Sequence, residues 1–70
     1  MIVEILRLEG MRSERDRRVI TATLARIPGL GRVVINLADQ TVRLERAETT
    51  SLTSLISALE GAGYRVSVMA

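Results

Sequence analysis

The chain contains no cysteine and no histidine. Their absence removes disulfides, thiolate and imidazole metal sites, and every nucleophile arrangement built on Cys or His. Tryptophan and phenylalanine are also missing, and the single tyrosine is Tyr64. A set of sheet aromatics on which an RNA-recognition module stacks bases is therefore not available. Lysine is absent as well: all ten basic residues are arginine, against eight acids, for a formal net charge of +2. The isoelectric point near 10.4 reflects the lack of groups titrating around neutrality and is weak evidence for nucleic acid as a partner. No apolar run approaches the roughly 18 residues of a membrane-spanning helix. Glu4 and Arg7 interrupt MIVEILRLEG where a signal peptide would carry its apolar stretch. The expectation is a cytoplasmic chain with no membrane association.

What is present is a periodic pattern in a short chain. Hydrophobic residues make up 47% of the 70, too many for disorder, and the length allows one domain, 1–70. IVEILRL, residues 2–8, has the composition and length of a strand, with Gly10 as its stop. From Ser13 to Ile27, the residues Ile20, Leu24 and Ile27 recur at i, i+4, i+7, one face of a helix that Pro28 and Gly29 end. Val33, Ile35 and Leu37 alternate with Val34 and Asn36, Ala38, Asp39 and Gln40 turn the chain, and Val42 and Leu44 alternate with Arg43 and Glu45, which is a hairpin with one buried face. Thr49, Thr50 and Ser51 offer N-caps for a second helix whose Leu52, Leu55, Ile56 and Leu59 lie on one side and which Gly61 and Gly63 stop. Val66 and Val68 close the pattern as a last short strand. The order β-α-β-β-α-β predicts the ferredoxin-like α+β fold, two helices on one face of a four-stranded antiparallel sheet.

With those elements placed, the residues resemble the heavy-metal-associated domain of copper metallochaperones and of heavy-metal-transporting ATPases, over nearly the whole chain. Gly10 and Met11 match the start of that family's Gly-Met-x-Cys-x-x-Cys loop. Ile20, Leu24, Ile27, Gly29 and Leu30 fall where it has its first-helix core and exit. Leu55, Ile56, Leu59, Ala62, Gly63 and Tyr64 match its second helix and Ala-Gly-Tyr ending. The two cysteine positions are Ser13 and Asp16. The resemblance implies a metal site at Met11, Ser13 and Asp16 that has lost its thiolates, and oxygen ligands do not reproduce thiolate chemistry for a soft ion such as Cu(I). No cofactor is expected.

Two other readings of this loop are available. Glu9, Ser13, Glu14 and Asp16 form a cluster of hard oxygen donors, but Arg12, Arg15, Arg17 and Arg18 interleave with them and oppose a Mg²⁺ or Ca²⁺ site. The pattern Ser-x-x-Asp before an apolar-periodic run is, by contrast, a helix-capping signature: the Ser13 hydroxyl accepts from the amide three residues on, and the Asp16 carboxylate reaches back to the amide of residue 13. Met11 is expected in the core beneath the loop.

The functional expectation is a non-enzymatic binding or regulatory module of the heavy-metal transport type without soft-metal binding. The alternative is a metal carrier using non-cysteine ligands or a site shared between chains. The resemblance implies a partner such as a metal-transporting ATPase domain or a second copy of this chain, docked on the loop face. Arg12, Arg15 and Tyr64 are expected to form one contact patch there, because the last strand runs beside the first and brings Tyr64 close to Gly10. The outer sheet face and edge strands are further pairing surfaces. Nucleic acid is disfavoured, and a ligand-binding domain of the ACT type would carry its glycine loop after strand 1, whereas Gly29 and Gly31 follow the first helix. No carboxylate pair, Ser/His/Asp set or phosphate-cradling loop with working spacing is present.

Overall fold

Alternation in the first segment sets the sheet. In β1 (Ile2–Glu9), Leu6 and Leu8 are fully buried while Arg7 and Glu9 face outward, as successive side chains on a pleated strand must. The computed structural model describes residues 1–69. After β1 come α1 (Glu14–Ala25), β2 (Leu30–Asn36), β3 (Thr41–Arg46), α2 (Leu52–Gly61) and β4 (Arg65–Met69). The strands form one sheet in the order β2-β3-β1-β4, with every neighbouring pair antiparallel. This is the expected ferredoxin-like arrangement, a two-layer fold whose helices share one sheet face. No helix among the described residues is long and apolar enough to cross a membrane.

The core lies between these layers. Ile20 and Leu24 from α1 and Leu55 and Leu59 from α2 meet Leu6, Leu8, Val42 and Leu44 of the two central strands. Burying each such side chain stabilises by about 1.5–3 kcal/mol, which a 70-residue domain with little interior needs. Ser51, not either threonine before it, caps α2 and accepts from the Ser54 amide at 3.3 Å.

The first helix is shorter than the periodicity suggests. It ends at Ala25, with Arg26 as C-cap, because Pro28 disfavours helical backbone at the residue before it. Ile27 still packs against the core from beyond the helix end, so it keeps the apolar spacing without the helical conformation. Likewise Leu37 belongs to the turn and not to the hairpin strand. There the Asn36 and Asp39 side chains and backbone bond reciprocally, and Gln40 adopts a positive φ of 58°.

The pole of the domain away from Gly10 is tied by polar contacts. The Glu4 carboxylate and the Arg46 guanidinium pair at 2.8 Å, both largely shielded, and Arg46 Nη1 also donates to the Thr50 carbonyl at 3.0 Å. The Thr50 hydroxyl donates to the Pro28 carbonyl at 2.8 Å, which places its oxygen against Gly29. Gly29 has φ +86°, and a Cβ there would run into Thr50 Oγ1. Gly29→Ala is accordingly expected to destabilise the fold by roughly 1–3 kcal/mol. Urea denaturation checks this, and a midpoint equal to that of the parent chain refutes the close-approach explanation.

Candidate functional site

The segment from Gly10 to Asp16 carries the chain from the end of β1 to the first turn of α1. Gly10, at φ +98°, makes the reversal that an L side chain rarely allows. Met11 then drops into the core with no exposed surface, which anchors the loop from below. Its thioether is thus a packing group, as expected.

Ser13 and Asp16 form a complete capping box. The Ser13 hydroxyl accepts from the Asp16 amide at 3.4 Å, and Asp16 Oδ2 accepts from the Ser13 amide at 3.1 Å. Two further donors were not legible in the Ser-x-x-Asp pattern. The Arg12 amide reaches Oδ2 at 2.9 Å, and the Tyr64 hydroxyl donates to Oδ1 at 2.6 Å. With the Ser13 hydroxyl also within 3.3 Å of Oδ2, each carboxylate oxygen has at least one donor from this chain. The Tyr64 hydroxyl, followed by the Arg12 and Ser13 amides, holds the Asp16 carboxyl down to about 2. Burial, then the bond to Asp16 and its charge, pushes the Tyr64 phenol up to about 12, with Arg15 pulling slightly the other way.

These contacts correct one expectation. Tyr64 does lie beside Gly10 and Asp16, but it is only 8% exposed. Its ring fills the edge of the core and its hydroxyl is consumed by Asp16, so it supplies little to a contact surface. Spacing along the chain carried no signal for this bond, since 48 residues separate the two side chains, although a Tyr hydroxyl, once buried, usually finds a partner.

Arg12 and Arg15 remain exposed, as does Arg18. Arg17 turns the other way: its Nε meets both Glu14 carboxylate oxygens at 2.9 and 3.1 Å, and Nη1 donates to the Ile35 carbonyl at 3.2 Å. Both acids of the segment are thus engaged inside the domain, Glu14 by Arg17 and Asp16 by its four donor groups. Arg12, Arg15 and Arg18 have no carboxylate at ion-pair distance among the described residues. Four arginines against two acids over residues 12–18 leave this segment net positive, while Asp16 keeps its negative charge because its neutral donors favour the ionised form. Among the described residues, no group of three or more Asp and Glu side chains is arranged to hold a metal ion.

A four-stranded sheet under two helices, with a glycine-methionine loop leading into α1, defines a class, and the comparisons name it. The family model of the heavy-metal-associated domain matches residues 5–65, and the chain belongs to that family. Similar solved structures include the N-terminal domain of PacS from Synechocystis PCC6803, at 27% identity over 100% of both chains with a TM-score of 0.88. The CopZ metallochaperone is also 27% identical, over 94% of this chain and 100% of its own, with a TM-score of 0.84. Oxidized MerP from Ralstonia metallidurans CH34, at 20% identity over 99% and 97% with a TM-score of 0.90, shares the fold. No curated protein matches the sequence.

Ser13→Ala is expected to lower stability by about 0.5–2 kcal/mol, read as a reduced melting temperature; an unchanged one refutes the cap. Because the Asp16 pKa is depressed in the folded state, its stabilisation is complete above the ordinary value of 3.8 and is lost as pH falls through about 2. The Tyr64 pKa is raised, so its contribution is complete below 10.0 and is lost as pH climbs toward about 12. In Tyr64→Phe the Asp16 carboxyl should titrate at higher pH, seen in its side-chain carboxyl ¹³C shift. A midpoint that does not move shows that the phenol is not the dominant donor.

Proposed function

We propose that this domain serves heavy-metal transport as a non-enzymatic docking module and does not carry a soft metal itself. The observation that supports this most is the state of the Asp16 carboxylate. At the two positions where relatives place thiolates, this chain has a hydroxyl and a carboxylate that bond to each other and to Tyr64 and Arg12. A soft ion gains little from such donors, and a hard ion would have to displace four donor groups from one side chain while facing Arg12 and Arg15. The exposed Arg12, Arg15 and Arg18 supply the other half of the reading: a segment of net positive charge whose three free guanidinium groups suit an acidic surface on a partner domain, such as one belonging to a metal-transporting ATPase. Such complementarity raises association rates and selects partners more than it adds affinity.

Metal titration tests the proposal directly. With Cu(I) under reducing conditions, or with Zn²⁺, Ni²⁺ or Mg²⁺, the amides of residues 9–18 should not shift at millimolar metal, and saturable shifts there would overturn it. The double variant Ser13→Cys/Asp16→Cys keeps Gly10, Met11 and the core and should gain tight Cu(I) binding. If it stays folded yet fails to bind, the loop differs from a metal loop by more than its two ligands.

A further inference from the structure

The sheet face turned away from the helices is unpartnered, and its side chains are arranged unlike an ordinary solvated surface. Register places Val34, Arg43, Ile5 and Met69 in one row across all four strands. Val3 extends the apolar strip along β1, opposite Glu45, and Met1 lies over Gly31 on the same side. Of the five large hydrophobic side chains that are most exposed, Met1, Val3, Val34 and Met69 belong to this face, each at least 43% open. The clustering marks an interaction surface more than scattered exposure would.

Charge on this face is also segregated. Four arginines, Arg7, Arg32, Arg43 and Arg65, face two glutamates, Glu9 and Glu45. The glutamates sit at the margins. Glu9 is opposite Arg65 in the β1–β4 register, and Glu45 accepts from the Arg32 amide at 3.3 Å. The centre holds Arg7 and Arg43 alone, on the two middle strands. The pairs Ile5 with Arg43 and Arg7 with Thr41 make them diagonal neighbours, about 7–8 Å apart in such ladders. Neither has an ion-pair partner among the described residues. Beside them Arg32, Val34, Arg43 and Glu45 line a shallow cavity of about 360 Å³. Glu9 and Glu45 lie two residues along from Arg7 and Arg43 without forming ion pairs, so four arginines against two glutamates leave the face net positive and favour an anionic ligand.

We infer that this outer face docks an acidic amphipathic helix of a partner protein, with its apolar stripe on Val3, Ile5 and Val34 and its carboxylates on Arg7 and Arg43. A second copy of the chain would set the same arginine pairs against each other. Single-stranded nucleic acid would find phosphate contacts but no aromatic platform, since the one aromatic ring is buried at Tyr64. A bilayer would find a flat aliphatic sheet without Trp or Tyr anchors. A helix is favoured over an extended segment because a sheet face is covered by another layer, and a helix here completes a three-layer stack, whereas an extended segment pairs at a strand edge.

The test uses a synthetic peptide of about 18 residues, five helical turns, with leucines at i, i+3, i+4 and i+7 and glutamates elsewhere. Amide shifts should concentrate at Val3, Ile5, Arg7, Val34 and Arg43. A version with lysine in place of glutamate should not bind. Arg7→Gln/Arg43→Gln should weaken binding at least about tenfold, as loss of close charge complementarity does, while Arg12→Gln/Arg15→Gln, on the loop, should leave it unchanged. Shifts confined to residues 9–18, equal weakening by both double variants, or no shifts at millimolar peptide would each overturn the inference. So would a stronger response of the same amides to a dodecathymidylate or to vesicles of phosphatidylcholine and phosphatidylglycerol. Because the loop variants are scored separately, failure here is distinguishable from failure of the loop-face proposal.

Discussion

The Asp16 carboxylate is the point at which three parts of the chain meet. One oxygen takes the Tyr64 hydroxyl at the threshold of β4, and the other takes the loop amides of Arg12 and Ser13 that open α1. Because β1 and β4 are hydrogen-bonded neighbours, this single side chain fastens the start of the first helix to both strands beside it. The low pKa and the raised phenol pKa are two expressions of that contact. At the opposite pole Arg46 does similar work by different means, linking Glu4 to the Thr50 carbonyl while Thr50 holds Pro28. Between these polar ties the interior is purely aliphatic apart from Met11 and the Tyr64 ring. A small domain with this little interior relies on both ends being closed.

Most of the fold was legible because the segments obey their periods without conflict. Leu6 and Leu8 alternate with Arg7 and Glu9, and Leu55 and Leu59 recur at helical spacing, so local pattern and tertiary burial agree. Departures occurred where sequence neighbours override periodicity. Ile27 has the right spacing for α1 but precedes Pro28, and Leu37 continues the strand alternation but is taken by the Asn36–Asp39 turn. The capping half of the site was legible because its partners are three residues apart. The Tyr64 contact was not, because 48 residues separate it from Asp16 and only the strand order brings them together. Tyr64 as a contact residue failed for the same reason: a lone tyrosine near a loop reads as surface until its hydroxyl is seen to be spent.

Family membership and local chemistry pull in different directions at this loop, and the structure shows how both hold. Gly10 and Met11 keep the turn and its buried anchor, which are backbone and packing requirements independent of any ion. Ser13 and Asp16 satisfy the helix end from the positions where relatives place their ligands.

Well between about pH 2 and about pH 12, a loop closed by its own carboxylate keeps one protonation state at Asp16 and Tyr64. Thiol ligands must be kept reduced; the donors around Asp16, two amides and two hydroxyls, contain no sulfur. The side chains at positions 13 and 16 accordingly keep the same form in oxidising and reducing surroundings. An interaction made through the loop face would not be switched by oxidation at positions 13 and 16.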